Sequence, residues 1–196
     1  MLAVNICSWL LALKRGVMIG LYCSDVSGAF DKVDHERLGD KLGLLGLHPD
    51  VLRFLRSWLE DMSSEVVVGG SSSGREPLCD SVFQGTVLGP PLWNTFYADA
   101  RHSTDQLNFQ ETVFADDYNC WITMRKGKLP QDLRCEVALR GAQKELHAWG
   151  RANKVIFDPT KESFHLLHRR LRSEGSSRSS ALCSIHSSSC MAQRDK

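Results

Sequence analysis

The 196-residue sequence has no excess charge of one sign, no closely paired cysteines and no long apolar run. Lys and Arg number 24 against 23 Asp and Glu, for a formal charge of +1. That balance excludes the strong positive field of a free-standing nucleic-acid binder. Seven cysteines are an odd number and none forms a C-x-x-C pair, which speaks against both a disulfide framework and a zinc ribbon and points to a reducing compartment inside the cell, nucleus or cytoplasm left open. No stretch reaches the roughly 20 apolar residues of a spanning helix, so no membrane partner is expected. The apolar opening, 1–13, is interrupted by Asn5 and Ser8, lacks a preceding basic residue and has no small-residue cleavage pattern. It reads as an amphipathic, core-facing helix, with a signal peptide as the alternative. What remains is globular: 42% hydrophobic and 24% charged residues in a length that suits one domain. The charge is unevenly spread. Residues 169–196 hold six basic against two acidic side chains, and 1–168 hold 18 against 21.

The run 17–26 (VMIGLYCSDV) is rich in β-formers and reads as a buried strand with Asp25 at its exit, since an unpaired acid in mid-strand would be costly to bury. Helices follow after Asp34, with Leu38, Leu42 and Leu45 on one face, and from Pro49, with Val51, Leu52, Leu55, Trp58 and Leu59. Residues 64–82 read as a hairpin with a Gly/Ser tip, and 92–104 as a helix sharing Trp93, Phe96, Tyr97 and Ala100 on one face. A second hairpin joins 108–115 to 118–124 across Asp116-Asp117. A long helix spans 133–152, using Val137, Leu139, Leu146 and Trp149, and strands are expected at 155–157 and 163–167. Half of the residues in 173–190 are Ser, too few apolar groups to offset the entropy of ordering, so the tail is expected to be disordered.

The order strand, helices, strand, strand, helix, strand is that of the split β-α-β-β-α-β (ferredoxin-like) plan, an α+β fold. If its first and third strands are the antiparallel central pair, Asp25 lies beside the turn carrying Asp116 and Asp117, more than ninety residues away in sequence. Carboxylates about 4 Å apart repel by roughly 4 kcal/mol at an effective dielectric of 20, so such a cluster holds a proton or a cation. Hard divalent ions suit it; two Mg²⁺ ions activate an attacking oxygen and stabilise a departing one in phosphoryl transfer. Taken singly, Asp-Asp is ordinary turn chemistry and Asp25 a capping residue.

Three segments in order, Asp25-Val26-Ser27-Gly28-Ala29-Phe30-Asp31-Lys32-Val33, then Phe83-Gln84-Gly85 with Leu88-Gly89-Pro90-Pro91-Leu92, then Phe114-Ala115-Asp116-Asp117, resemble the first three palm motifs of reverse transcriptases, most closely those of non-LTR retrotransposons. The resemblance covers about residues 10–168. It implies a polymerase palm at 17–168, a fingers remnant at 1–16 and a Ser/Arg tail at 169–196. It implies that Asp25 and Asp116 ligate two Mg²⁺ or Mn²⁺ ions, with Asp117 beside them and the Val26 carbonyl as a further ligand. Phe30 stands where an aromatic collides with a ribose 2′-hydroxyl and selects deoxynucleotides, the alternative being a core aromatic. Gln84 and Gly85 would line the incoming nucleotide and template. Lys161, in Asp158-Pro159-Thr160-Lys161, resembles the lysine that neutralises or protonates leaving pyrophosphate; otherwise it is a solvated loop lysine.

The implied partners are an RNA template, a DNA primer and deoxynucleoside triphosphates. Duplex binding relies on many phosphate contacts, and 1–168 is slightly acidic. Arg53 and Arg56 read as a solvated helix face, and Arg169, Arg170 and Arg172 as phosphate contacts or an import signal only secondarily. With fingers and thumb largely missing, to be supplied by a longer parent chain, the sequence reads as a truncated retroelement copy with little activity alone. The rival reading is a non-catalytic palm-like remnant. A nucleotidyl cyclase would need a Gly-Gly-Asp-Glu-Phe-type hairpin, which is absent, and an RNA-dependent RNA polymerase would lack the aromatic at Phe30.

Overall fold

The computed structural model describes residues 2–60, 62–125, 127–128 and 130–168; the expected tail and its arginines lie outside these residues. In chain order the elements are α1 (Leu2–Lys14), β1 (Met18–Ser24), a 3₁₀ turn (Ala29–Lys32), α2 (His35–Leu44), α3 (Pro49–Glu60), β2 (Ser63–Ser64), β3 (Val67–Val68), β4 (Ser71–Ser72), β5 (Glu76–Pro77), α4 (Gly89–Tyr97), a 3₁₀ helix (Ala98–Leu107), β6 (Gln110–Phe114), β7 (Asp117–Met124), α5 (Gln131–Asn153) and β8 (Ser163–Leu167). Two contact units share the chain. The first takes residues up to 25, 102–148 and 157 onward; the second takes 26–101 and 149–156.

The first unit is built on a four-stranded sheet in the order β6-β7-β1-β8, each neighbouring pair antiparallel. β1 is central because both its faces are apolar enough to be covered. Leu21 pairs with Trp121, and on that face Trp121 meets Trp9 of α1 edge-on at 5.6 Å, while Asn5 donates to Thr112 at 2.9 Å. Alternation turns Gly20 and Tyr22 to the opposite face. There α5 comes close: a Cβ on Gly20 would stand 3.3 Å from both Cys135 Cβ and Leu139 Cδ1. The missing side chain is what admits the helix. Tyr118, fully buried, donates to Glu111 at 2.8 Å and lies 2.9 Å from the Thr104 hydroxyl, which fixes the β6–β7 register from its polar side. α1 leaves Ile6, Leu10 and Leu11 exposed, so only part of its apolar surface faces the sheet. On α5, Val137 is 65% exposed whereas Leu139 and Leu146 are buried.

In the second unit α2 packs on α3 and α4. Leu38, Leu42, Leu55, Leu59, Trp93, Phe96, Tyr97 and Ala100 fill its interior as their spacing predicts. Leu45 does not; α2 ends at Leu44 and Leu45 is 72% exposed, the chain turning away at Gly46 with φ +82°. Asp34 caps α2, accepting from the Arg37 amide at 3.0 Å and from the Lys154 ammonium. The half-buried Lys41 ammonium donates to Asp99 and to the Phe96 carbonyl, 4.5 Å from the Phe96 ring centre, and Trp149 donates to the same Asp99. Burial pulls the Lys41 ammonium below the usual lysine range, against the pull of Asp99.

Several expected boundaries shift. The hairpin at 64–82 resolves into two short ladders, β2 with β5 and β3 with β4. The helix expected at 92–104 begins at Gly89 and passes into 3₁₀ after Tyr97, and no strand forms at 155–157.

Two outcomes follow. Gly20→Val should lower unfolding stability by roughly 1–3 kcal/mol in chemical denaturation, because the added methyls meet α5. Asp34→Ala should cost about 1–2 kcal/mol at neutral pH. Burial works against it, but Lys154 and the Arg37 amide hold the Asp34 carboxyl below its usual value of 3.8. Its contribution is therefore complete above about pH 4 and is lost below, so the deficit of the variant should shrink on acidification.

Candidate active site

The central strand β1 ends at Ser24, which pairs with Tyr118. On β7's other side Val113 pairs with Tyr118 and Phe114 with Asp117. The hairpin turn is therefore Ala115-Asp116, not Asp116-Asp117: the second acid already belongs to β7. A two-residue hairpin turn wants positive φ, and Ala115 adopts φ +54°, a conformation an alanine takes at some energetic cost.

Asp25, one residue beyond β1, is only 7% exposed. Asp116 lies near enough for the two carboxyls to interact. Partial burial, then the charges of Asp25 and Asp117, push the Asp116 carboxyl above the usual carboxylate range, its own backbone hydrogen bond opposing. Asp117 is exposed, and its charge also reaches Cys23. The Lys161 ammonium donates to Asp25 Oδ2, and this bond, with the charge of Asp25 behind it, raises the lysine above its usual range. The first unit thus gathers Asp25, Asp116, Asp117 and Lys161.

The turn that delivers Lys161 is tightly tied. The Asp158 amide donates to the Asp25 carbonyl at 2.9 Å, and the Asp158 carbonyl accepts from the amides of Lys161 and Glu162 at 3.1 and 3.2 Å. Asp158 Oδ1 accepts from the Thr160 amide and hydroxyl at 2.9 and 2.6 Å. Glu162, its side chain only 5% exposed, turns inward. It accepts from the Tyr22 hydroxyl, from Ser24 Oγ at 3.3 Å, from Gln143 at 3.1 Å, and pairs with His147 Nε2 at 2.7 Å. Burial alone would raise the Glu162 carboxyl; the bonds from His147 and Tyr22 outweigh it and hold it below its ordinary range. Sequence reasoning missed Glu162. The available signal was the polar pair Tyr22 and Ser24 on one face of an otherwise apolar strand.

Val26, Phe30, Gln84 and Gly85 belong to the second unit. Val26 is buried. Phe30 is half-buried against Trp93, ring centres 6.0 Å apart, and its carbonyl accepts from the Val82 amide at 2.8 Å. Gln84 and Gly85 are exposed; Gly85 has φ +87°, and a Cβ there would meet nothing within 4 Å. Glycine is needed at Gly85 for its backbone conformation, and the space above it is open. Its neighbour Gly89, not singled out from sequence, has the tighter constraint: a Cβ would fall 2.5 Å from the Phe83 carbonyl oxygen. The Thr86 hydroxyl closes this loop, donating to that carbonyl and accepting from the Gly89 amide.

Among the described residues no group of three His, Cys, Asp or Glu side chains is arranged to hold a metal ion. Asp25 and Asp116 form a two-carboxylate donor set, which fits Mg²⁺, an ion that commonly takes one or two carboxylates and keeps much of its water.

The family model described as reverse transcriptase (RNA-dependent DNA polymerase) matches residues 13–189, beyond the residue 168 at which the motif resemblance ends. The chain belongs to the reverse transcriptase family. The reverse transcriptase resemblance, of the non-LTR mobile-element type, is borne out. The chain is 34% identical over 152 residues to the probable RNA-directed DNA polymerase from transposon BS of Drosophila melanogaster, covering 71% of this chain and 16% of that protein. It is 34% identical over 98 residues to the RNA-directed DNA polymerase from mobile element jockey of the same fly, covering 47% of this chain and 11% of that one. It therefore spans a small part of these relatives' length. The fold is like that of Candida tropicalis telomerase: the apo form truncated from the C-terminal domain matches with a TM-score of 0.59 and 13% identity over 90% of this chain and 36% of that one. The form in complex with a fragment of telomeric RNA matches at 0.54 and 12%, over 98% and 34%.

Because burial and the neighbouring Asp25 disfavour a charged Asp116 in this reverse transcriptase fold, Asp116→Asn should raise the melting temperature by a few degrees in chelator at neutral pH. An unchanged or lower melting temperature would contradict that reading.

Proposed function

We propose that the first unit carries the catalytic centre of an RNA-directed DNA polymerase palm. The single observation that carries it is the meeting of Asp25, at the exit of β1, with Asp116, in the β6–β7 turn, in a chain of the reverse transcriptase family. The strand order β6-β7-β1-β8, with helices between β1 and β6 and between β7 and β8 in sequence, supports the split β-α-β-β-α-β palm core.

Asp25 and Asp116 are the residues that would hold two Mg²⁺ or Mn²⁺ ions, with Asp117 adding negative charge. When bound, such ions supply Lewis-acid charge that makes a primer 3′-hydroxyl nucleophilic and stabilises the departing pyrophosphate. The bond formed joins the primer 3′-oxygen to the α-phosphorus of a deoxynucleoside triphosphate; the bond broken is that from the α-phosphorus to the oxygen bridging to the β-phosphate. Lys161, moving from Asp25 to the leaving group, neutralises or protonates it. For the second unit we keep the roles that its motifs imply, Phe30 selecting against a ribose 2′-hydroxyl and Gln84 and Gly85 contacting nucleotide and RNA template.

A second reading, a non-catalytic remnant, is favoured by the cationic Lys161 already seated on Asp25 and by the lack of a three-ligand cluster among the described residues. Two measurements separate them. Mn²⁺ binding read by electron paramagnetic resonance should be abolished by Asp25→Ala, and extension of oligo(dT) on poly(rA) should fall by at least about 100-fold in Asp116→Ala/Asp117→Ala. Extension that survives the double substitution, or absence of any Asp25-dependent Mn²⁺ binding, sinks the catalytic reading.

A further inference from the structure

Lys161 and Glu162 are neighbours with opposite destinations. One reaches outward to Asp25, the other inward to Tyr22 and Ser24 of β1 and to Gln143 and His147 of α5. The Lys161 side chain is 60% exposed and carries four rotatable carbons, so its own packing does little to choose where the ammonium rests. The backbone under it has no such freedom. Its start is pinned by the Asp158 amide on the Asp25 carbonyl, its middle by the Asp158 side chain on Thr160, and its end by the Glu162 carboxylate. Only the last of these ties the turn to the helix. The His147 ring is further fixed by stacking on Phe157 at 5.4 Å, just before the turn begins. A buried carboxylate with this many donors is held in one place, because each bond lost leaves a charge short of a partner in a desolvated site.

We propose that Glu162 is a positioning residue that sets the turn 158–162 so that the Lys161 ammonium is seated on Asp25, and that the seated ammonium competes with a divalent cation for the Asp25/Asp116 pair. The competition rests on the metal reading made above; the positioning does not. Both carboxylates face one positive charge that is tethered and always present, so a cation enters only as the lysine swings off. Removing the lysine, or letting its turn drift, opens the pair to the ion.

The test uses the side-chain ammonium resonance of Lys161 in the ¹⁵N-labelled full chain, assigned by its loss in Lys161→Met, together with Mn²⁺ titration followed by electron paramagnetic resonance. Glu162→Ala should move the ammonium resonance to the position it takes in Asp25→Asn, with fast proton exchange. Glu162→Gln keeps a carbonyl oxygen for Tyr22 and Ser24 and should retain the wild-type resonance. Mn²⁺ should bind at least about tenfold more tightly to Lys161→Met and to Glu162→Ala, with no further gain in the double variant, since both remove one seated charge. Should Glu162→Ala fail to fold, Gln143→Ala/His147→Ala removes the helix anchors and is read in the same way. A Lys161 resonance untouched by Glu162→Ala overturns the positioning role. Additive effects on Mn²⁺ affinity, or weaker binding in Glu162→Ala, overturn the competition. Absence of Mn²⁺ binding in every variant overturns the metal reading and the competition with it, while the ammonium resonance still decides the positioning role.

Discussion

The pairing of β1 between β7 and β8 is the constraint from which the rest of the first unit follows. Its seven residues are in register with β7 on one edge and its middle five, Ile19 to Cys23, with β8 on the other, and helices cover both faces. A slip of one residue would exchange Leu21 for Gly20 under α1 and set a side chain against α5, where even a Cβ would stand only 3.3 Å from Cys135 and Leu139. The register is therefore enforced by packing on two sides at once, and the position of Asp25 relative to the β6–β7 turn follows from it. The acids meet because apolar side chains and one glycine elsewhere in the strand leave no other alignment.

Much of this was legible in the sequence. The apolar run ending in Asp25, the hairpin ending in two acids and the helical spacing of Leu38 and Leu42 or of Trp93, Phe96 and Tyr97 are local patterns with periods of two and near four, and they appear in the fold much as read. The failures are instructive because each belongs to a quantity that periodicity does not carry. Whether Leu45 is buried depends on the residue at which α2 stops, which Gly46 decides by its backbone angle. Whether the turn is Ala115-Asp116 or Asp116-Asp117 depends on cross-strand register, set by Tyr118, Glu111 and Thr104 in three dimensions. Glu162 was invisible because its partners come from β1 and from α5, 15 to 140 residues distant.

The two carboxylate environments at this end of the sheet show how one short stretch of chain separates tasks. Glu162 is buried deeper than Asp116 and yet its charge is favoured, because hydroxyl, amide and imidazole donors converge on it. Asp116 is less buried and its charge is disfavoured, first by that burial and then by the acids beside it, with only its own backbone hydrogen bond opposing. Burial pushes both carboxyls up; at Glu162 the donors reverse it, and at Asp116 the acidic neighbours add to it. A carboxylate of the first kind holds structure, and one of the second kind is poised for a cation or a proton.

The same close approach that Gly20 permits has a chemical consequence for the sulfur atoms around it. Cys135 and Cys120 lie on the α5 side of the sheet, fully enclosed, and burial pushes the Cys135 thiol up to about 11 and that of Cys120 higher still. The nucleophilic form of cysteine is the thiolate, so at neutral pH these two sulfurs are inert as well as inaccessible. Among the described cysteines, Cys7 and Cys79 are on the surface for alkylating agents and oxidants, and Cys23 is half-buried. The close approach at Gly20 thereby also seals the Cys135 sulfur away from an oxidant.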